Sequence, residues 1–503
     1  MSRPCPALTL ADAWTGIDRR GVPRWFDEAK FGIFIHWGVF SVPAWAPVGV
    51  PTVPIPFIDA SYPAPFSEWY WLSLTIERAL YALPGHFAGP TLAHHNATYG
   101  ATFEYPQFAP MWDASRFDPV AWASLIHDSG AHYVVQTSKH HDGFCLWPSE
   151  QAENWPNAFD PSKPLAWNSV IAGPRRDIVG ELTAAIRATE TLDGSGKIRM
   201  GLYYSLLEWF NAEYYQKSDG ELAPYVENHL RPQFEDLVRR YEPSVIWTDG
   251  EWDHSVDAWQ STKLLEWLFN SPDLPDAYKR EVVVGDRWGK LTRSVHGGYH
   301  TLEQFERDFF NPGCQLDNAR KWELAQTFHL SWGYNTEDPP AEFASSVNLI
   351  QLLVQIVARG GNVLLNIGPK SDGTVPPEQE DRLRAIGAWL KVNGEAIFRT
   401  RPWRVQSEGA HVETYWYVLS KGTMSGREVW YTQGESALYA ILLGTRSGEV
   451  TLTAPIPSDA TTITLLQTSH ELEWTVRDGA LVVALPSDVE PSAALVLRLT
   501  AVH

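Results

Sequence analysis

The chain has 503 residues and a mass of 56.6 kDa, which is long enough for a large barrel with an accessory domain. Its 40 Lys and Arg against 60 Asp and Glu give a formal charge of −20, which argues against binding to nucleic acid or to an anionic membrane surface. Hydrophobic content of 44% and charged content of 20% are typical of a folded protein. Aromatic residues reach 13%, and flat apolar rings suit sugar faces, although most single Trp residues would fill core.

The three cysteines, Cys5, Cys145 and Cys314, are far apart and odd in number. This pattern excludes a disulfide framework and a cysteine-based zinc site. The N-terminal segment has no apolar run long enough for a signal-peptide core, and no stretch approaches 18 consecutive apolar residues. The sequence as given therefore predicts a cytoplasmic protein without a membrane span, with secretion left open if a signal has been removed.

Seven short apolar runs that end in polar or aromatic residues predict β-strands. They are Phe31–Gly38, His132–His141, Ile198–Ser205, Ser244–Gly250, Glu281–Trp288, Phe328–Asn335 and Asn362–Pro369.

Amphipathic helices are predicted between these runs from their start and stop signals. Asp118 before Pro119 is typical of an N-cap, and Gly130 ends that helix. Ile178, Leu182 and Ile186 share one helical face. Two further helices are predicted, one from Ser345 or Ser346 to Gly360 and one from Pro377 to Gly394.

Alternating strands and helices predict parallel β/α units, and their number favours a (β/α)8-like catalytic barrel over residues 1–398. In such a barrel the active site lies at the C-terminal ends of the strands, where these runs become polar. The Pro-rich segment Val42–Pro65 can be neither helix nor central strand, so we expect a long loop over the barrel mouth.

Residues 399–503 follow a different pattern, because helical periodicity stops and short strands dominate. Leu472, Trp474 and Val476 alternate with polar residues, and a hairpin turn is predicted at Asp478-Gly479. We expect a small antiparallel β-sandwich domain. The predicted strands are Leu438–Leu443, Glu449–Pro455, Thr462–Gln467, Leu472–Val476, Leu481–Leu485 and Ala494–Leu499.

Carboxylates at or just past the predicted strand ends indicate glycoside hydrolysis, which uses one carboxylate at the anomeric carbon and a second to protonate the leaving oxygen. Within Trp247-Thr248-Asp249-Gly250, Trp247 and Asp249 point to the same side of a strand, as a stacked sugar ring would require. A turn or N-cap role for Asp249 before Gly250 is equally compatible with these four residues. The carboxylates are Asp142, Glu208, Asp249, Glu251, Asp286 and Glu303.

His140 and His141 form a second candidate cluster. Adjacent residues of a strand face opposite ways, so they would share one metal only if the strand kinked. His36 and His300 could supply further ligands, but neutral imidazole suits hydrogen bonding to sugar hydroxyls better, and a core role for each His is a further alternative.

Taken together, these motifs resemble the α-L-fucosidases of glycoside hydrolase family 29. The match covers about 370 residues in order, from WFDEAKFGIFIHWG through EWYW, KHHDGF, GLYYS, WTDG, DRWG and SWGYN to GGNVLLNIGPKSDGTVP. The resemblance implies exo-acting, retaining hydrolysis of terminal α-linked L-fucose without a metal or cofactor. The partner would be a fucosylated oligosaccharide or glycoconjugate, and the oligomeric state stays open.

Carried over residue by residue, the resemblance implies that Asp249 is the nucleophile. Glu303 is the first choice for the acid/base, Asp286 is the runner-up, and Glu306 is a further alternative. Two features depart from the family: the loop 42–65 is longer, and Gly285 replaces the usual Asn before DRWG. The implied fucose-binding residues are His36, Glu68, Trp69, His140, His141, Tyr204, Trp247 and Arg287.

Two other functions stay open at this point. One is a non-catalytic fucose-binding protein on the same fold, which the carboxylate of Asp249 disfavours. The other is a glycosidase or transfucosidase that prefers another sugar. Trp45 and the Pro-rich loop, on the leaving-group side, would determine that preference.

Overall fold

The computed structural model of the chain describes residues 12–49, 53–54, 61–62, 66–81, 89–303, 320–409, 428–444 and 447–503. Two bodies of β-structure follow one another along the sequence. The first is a curled sheet of parallel strands surrounded by helices, and the second is a pair of packed antiparallel sheets.

Eight parallel strands form the first sheet in sequential order around a barrel, so that β1 pairs with both β2 and β8. The end strands β5 and β6 also approach each other, because the backbone N–H of Tyr299 donates to the carbonyl of Val284 at 3.1 Å. This contact brings the barrel close to closure, as the predicted (β/α)8-like fold requires. The strands are β1 Phe31–Ile35, β2 Tyr133–Lys139, β3 Arg199–Ser205, β4 Val245–Asp249, β5 Val283–Val284, β6 His300–Glu303, β7 Trp322–Gln326 and β8 Gly361–Ile367.

Six of the seven predicted strand runs contain a barrel strand, but the prediction for Phe328–Asn335 is wrong, because that segment is a loop. The sequence reading also missed β6 and β7. Strand β7 is hidden in the sequence because it carries the polar residues Glu323 and Gln326, both buried. Glu323 lies inside the barrel and accepts hydrogen bonds from Tyr133, Trp247 and Tyr299, which satisfies a carboxylate that would otherwise be costly to bury.

Helices surround the barrel irregularly, and residues 285–299 between β5 and β6 contain none. The predicted N-caps at Asp118 and Ser345 are confirmed by side-chain hydrogen bonds to backbone N–H groups. None of the described helices is both long and apolar enough to cross a membrane. The helices are α1 Asp12–Asp18, α2 Arg24–Ala29, α3 Tyr70–Tyr81, α4 Pro90–Thr98, α5 Pro119–Ser129, α6 Ile178–Ala188, α7 Arg231–Tyr241 with the preceding turns Ala223–Tyr225 and Val226–Leu230, α8 Val256–Trp259, α9 Ser261–Asn270, α10 Asp276–Glu281, α11 Ser346–Ala358 and α12 Pro377–Asn393.

The Pro-rich segment 42–65 lies partly outside the described residues. Where it is described, it contains only a two-residue antiparallel pair, Val53–Pro54 with Ser61–Tyr62. Its first part is anchored to the loop that follows β7, since the side chain of Asn335 bonds the backbone of Ala46. This contact places the start of the segment beside a loop at the barrel mouth.

The C-terminal sandwich packs a six-stranded sheet, in the order β9-β10-β11-β17-β13-β14, on a three-stranded sheet, β12-β16-β15. Leu452 and Val483 from the smaller sheet share one apolar core with Leu442 and Leu497 from the larger. The predicted hairpin turn is confirmed, with positive φ at both Asp478 and Gly479. The strands are β9 Arg401–Glu408, β10 Val429–Gln433, β11 Leu438–Leu443, β12 Gly448–Leu452, β13 Pro457–Leu465, β14 His470–Glu471, β15 Trp474–Arg477, β16 Ala480–Leu485 and β17 Ala494–Val502.

The outer face of the larger sheet packs on the barrel helices, with Trp430, Ile441 and Val496 in the same apolar cluster as the barrel core. The indole N–H of Trp389 on α12 donates to the carbonyl of Ala494 at 3.0 Å. The division after residue 398 stays a prediction. It falls between the turn Gly394–Ala396 and the start of β9.

Candidate active site

Asp249 is the last residue of β4 and is the centre of the site. The Tyr203 hydroxyl donates to its Oδ2 at 2.8 Å, Arg287 Nη1 donates to its Oδ1 at 3.0 Å, and His141 Nε2 lies 3.4 Å from Oδ2. Burial by itself would raise the pKa of Asp249, but the hydrogen bond from His141 and the charge of Arg287 outweigh it and hold that pKa well below its ordinary value. Asp249 is therefore an ionised carboxylate at neutral pH.

The guanidinium of Arg287 joins Asp249 to Glu303, which ends β6. Arg287 Nη1 lies 3.0 Å from Asp249 Oδ1 and 2.5 Å from Glu303 Oε1. The two carboxylate oxygens therefore lie at most about 5.5 Å apart, the sum of those distances. The side chain of Glu303 is 25% exposed, compared with 12% for Asp249, so Glu303 lies on the more open side of the pair.

Asp286 follows the end of β5, next to Arg287, and forms no hydrogen bond with Asp249. Its oxygens accept hydrogen bonds from the backbone of Ser294 and from both the backbone and the hydroxyl of Thr301, with His300 Nδ1 at 3.4 Å. Burial opposes ionisation, but these donors lower the pKa of Asp286. Thr301 in turn accepts from Arg287 Nε at 2.8 Å, so Asp286 orients the arginine through Thr301.

His36 and His140 form a neutral wall beside Asp249, with ring centroids 5.8 Å apart. Burial lowers the pKa of His36 to about 3, and it lowers the pKa of His140 well below the ordinary value. Nδ1 of His36 bonds Oδ1 of Asn366 at 2.7 Å, while the buried Nδ1 of His140 has no hydrogen-bond partner in the part of the chain that the structure describes. Neutral rings with unused nitrogen atoms can donate to or accept from sugar hydroxyls.

Both His140 and His141 reach the site, because neither of them lies on the regular strand. Strand β2 ends at Lys139, and its register with β3 shifts between Thr137 and Lys139, so regular alternation no longer holds beyond that point. His141 is fixed by a 2.6 Å hydrogen bond between Nδ1 and the hydroxyl of Ser205. No group of three or more potential metal ligands occurs among the described residues.

Glu68 supplies a third carboxyl group, on the short turn Ser67–Trp69. Its Oε2 accepts from the backbone N–H of Gly333 at 2.9 Å, and its buried Oε1 has no hydrogen-bond partner among the residues that the structure describes. Burial raises the pKa of Glu68 to about 8. The loop Phe328–Asn335, which was predicted as a strand, therefore helps to build the site. It holds Glu68 through Gly333 and places the Trp332 ring 5.1 Å from that of His36.

Tyr204 lies outside the site, in contrast to what the resemblance implied. Its hydroxyl donates to Gln233 at 2.9 Å, and its ring lies against the ammonium of Lys139 at 4.2 Å. Tyr203 takes its place, because Tyr203 is in register with Trp247 and side chains alternate along β3.

Two carboxylates near the strand ends serve the structure rather than the pocket. Glu208 is fully buried among donors that include Lys139 at 2.8 Å and His229 at 2.9 Å. Asp142 accepts from the Tyr105 hydroxyl and from the backbone of Phe144. Neither forms a hydrogen bond or an ion pair with Asp249.

Comparison with known proteins assigns this constellation to a family. Residues 7–395 match the model for α-L-fucosidase, and residues 423–500 match the model for the α-L-fucosidase C-terminal domain. The chain belongs to the α-L-fucosidase family.

Known relatives align with this chain over nearly its whole length. It is 39% identical to the tissue α-L-fucosidase of Homo sapiens over 500 residues, covering 98% of this chain and 91% of the relative. It is 37% identical to the plasma α-L-fucosidase of Rattus norvegicus, covering 96% and 92%. The solved structure of Thermotoga maritima α-fucosidase in complex with fucose superposes with a TM-score of 0.70 at 32% identity, covering 96% of this chain and 97% of that one.

Aromatic side chains complete the site of this α-L-fucosidase family member. The Trp247 ring lies under Arg287 at 4.4 Å and forms the floor, whereas Trp69 stands at the rim, 5.8 Å from the His141 ring. Sequence reasoning missed two further rim residues, Trp209 and Trp252. Their positions just past β3 and β4 were the available signal, since barrel sites are built from the loops after the strands. It also missed Tyr203, Trp332 and Asn366.

Proposed function

We propose that the chain is an exo-acting, retaining α-L-fucosidase that removes terminal α-linked L-fucose from glycans. The observation that supports this most strongly is that Asp249 and Glu303 each place one carboxylate oxygen on Nη1 of Arg287, so that these two oxygens lie at most about 5.5 Å apart. Retaining glycosidases place their two carboxyl groups about 5–5.5 Å apart, whereas inverting enzymes need about 6.5–9.5 Å to fit a water molecule.

The reaction proceeds in two displacements. Asp249 attacks the anomeric carbon and forms a covalent fucosyl-enzyme, while Glu303 gives its proton to the departing glycosidic oxygen. Glu303 then takes a proton from water, whose oxygen bonds the anomeric carbon and releases Asp249 as a carboxylate. The hydrogen bond from His141 and the charge of Arg287 keep Asp249 ionised at neutral pH, as a carboxylate nucleophile must be.

Glu303 is the proposed acid/base because of its position. It contacts the same arginine nitrogen as Asp249 and is partly exposed, as a group that meets both the leaving oxygen and water must be. Asp286 is buried, and its oxygens accept three hydrogen bonds from neighbouring residues. Glu306 lies outside the described residues.

The pocket shape supports exo action. Below Asp249 the barrel interior is filled by Trp247, Phe34 and Tyr203, so a sugar that enters from the mouth meets a closed floor. His36, His140 and the protonated carboxyl group of Glu68 then surround it as neutral donors and acceptors. A closed pocket of this kind accepts the terminal unit of a chain and not an internal one.

The test is hydrolysis of an aryl α-L-fucoside by wild type and by Asp249→Gly, with and without azide. We expect turnover by wild type, its loss in the variant, and partial rescue by azide with a β-fucosyl azide as product. Fucose binding without wild-type turnover would contradict the proposal and favour a non-catalytic fucose-binding protein.

A second pair of variants separates the two acid/base candidates. Glu303→Gln should lose far more activity on a fucoside with a poor leaving group than on one with a good leaving group, because only the former needs protonation. Asp286→Asn should slow both substrates equally, because it acts through Arg287. The opposite pattern would assign the acid/base role to Asp286.

The cytoplasmic location that the sequence predicts stays a proposal. Fractionation of the source cells, followed by fucosidase assay of each fraction, would decide between that compartment and secretion.

A further inference from the structure

A carboxyl group lies inside the barrel, beneath the active site. Glu323 of β7 is 1% exposed and is surrounded by the aromatic side chains of Tyr133, Trp247 and Tyr299. Burying a carboxyl group is costly even when it is hydrogen-bonded, and an apolar side chain would fill the same space without that cost. A conflict of this kind with the packing of a core is typical of residues that serve a functional site.

The hydrogen bond that Glu323 accepts from Trp247 orients the indole. Oε1 of Glu323 lies 3.1 Å from Nε1 of Trp247. The ring also packs on Phe34, at 5.1 Å, and on Tyr203, at 5.7 Å. Apolar packing is not directional, whereas a hydrogen bond requires its donor to point at the acceptor. Glu323 therefore selects which edge of the indole points into the barrel.

Trp247 in turn supports two of the residues that contact Asp249. The guanidinium of Arg287 lies over the indole at 4.4 Å, and the ring of Tyr203 is stacked on it at an interplanar angle of 22°. Arg287 and Tyr203 each donate a hydrogen bond to Asp249, at 3.0 and 2.8 Å. A rotation of the indole would therefore displace both donors from the carboxylate.

This arrangement needs an acceptor at position 323 and does not need a charge. Burial raises the pKa of Glu323 to about 7, so both forms of its carboxyl group occur near neutral pH. In the neutral form Oε1 still accepts from Trp247 and Tyr299, while Oε2 can donate its proton to the hydroxyl of Tyr133. A glutamine side chain offers the same acceptor and a donor in the same place.

We propose that Glu323 is a positioning residue of the fucosidase reaction. It acts through Trp247, which keeps Arg287 and Tyr203 in contact with the nucleophile. The inference rests on the proposed fucosidase activity and adds to it a residue from the interior of the barrel. Because the indole bonds Glu323 at one edge and lies under Arg287 with its face, Glu323 reaches the reacting groups only through the indole.

The test is a double-mutant cycle on the hydrolysis of an aryl α-L-fucoside, with Glu323→Leu made in the wild-type protein and in Trp247→Phe. We expect Glu323→Leu alone to lower kcat/KM about 10–100-fold, because small displacements of catalytic groups are costly. In the Trp247→Phe background, which has no indole N–H, the same substitution should cost about 2-fold or less. Glu323→Met, whose flexible side chain fills the same space, is measured in parallel, so that the cycle does not depend on one variant folding.

Two readouts separate positioning from a role in stability alone. Glu323→Gln keeps the acceptor for Trp247 and should retain most of the wild-type kcat/KM. In Glu323→Leu the acid limb of the pH profile should move upward, because a weaker contact with Arg287 raises the pKa of Asp249. The displacement should be smaller than in Arg287→Gln, which removes the charge itself.

The matched control is Tyr133→Phe, which removes the donor at the other oxygen of Glu323 and keeps the bond to Trp247. It should lower the melting temperature and leave kcat/KM unchanged. Equal losses from Glu323→Leu in both backgrounds, or an acid limb at the wild-type position, would overturn the positioning role while leaving the fucosidase activity intact. Wild-type protein that does not hydrolyse the fucoside would overturn the proposed function itself, and the positioning role with it.

Discussion

The contact between Arg287 and Asp249 allows a quantitative prediction of how catalysis depends on pH. Replacing Arg287 by Gln removes a positive charge 3.0 Å from a buried carboxylate and leaves burial to act with less opposition. An opposite charge within hydrogen-bond distance lowers a carboxyl pKa by about 1–3 units. Because Asp249 must be ionised to attack, activity exists only above its pKa. The acid limb of kcat/KM should therefore move upward by about 1–3 pH units.

The same substitution should slow the reaction at its best pH. Arg287 contacts both carboxylates of the proposed mechanism, and the loss of one such preorganised donor typically costs about 10²–10³-fold in kcat. The assay is the pH profile of aryl α-L-fucoside hydrolysis, followed to the lowest pH at which the protein stays folded. An acid limb at the wild-type position would refute the electrostatic argument, whatever the rate loss.

Arg293→Gln is the matched control, since it removes the same charge from the same neighbourhood. Arg293 bonds Glu251 at 2.6 Å, and its charge acts on Asp249 less strongly than that of Arg287. The acid limb of this variant should move less than that of Arg287→Gln. An equal displacement of the acid limb in both variants would mean that net charge alone, and not the direct contact, sets the pKa of Asp249.

Three further substitutions test other parts of the structure. The pKa of Glu68 is raised to about 8, so its carboxyl group is a neutral donor below that pH and becomes an anion above it. KM for the fucoside should therefore rise above pH 8 in the wild-type protein, and Glu68→Gln should remove most of that rise. Tyr203→Phe removes a hydrogen bond to Asp249 and should lower kcat about 10-fold, whereas Tyr204→Phe should leave kcat unchanged and lower the melting temperature. A larger loss of kcat in Tyr204→Phe than in Tyr203→Phe would show that Tyr204 belongs to the site. Trp389→Ala empties a buried position between barrel and sandwich and should cost about 3–5 kcal/mol in the free energy of unfolding, read by denaturant titration, with kcat/KM intact at low temperature.

Local signals in the sequence determined much of the fold. Asp118 before Pro119 is a local helix-start signal, because the side chain caps backbone N–H groups of the first turn. Asp478-Gly479 defines its hairpin for an equally local reason, namely positive φ at both residues. Trp247 and Asp249 were placed on one strand face by alternation alone, and both belong to the site.

Two kinds of feature depended on the tertiary structure: strands that bury polar groups, and side chains whose direction is set by strand register. Strand β7 carries Glu323 inside the barrel, a position that only three donors from other strands make tolerable, so no local pattern marks it. Tyr203 rather than Tyr204 reaches the nucleophile because β3 and β4 pair in one register and not the next. The sequence named Asp249, Glu303 and Arg287, but only the closure of the barrel brings them to one point, because they come from three strand ends up to 54 positions apart in the chain.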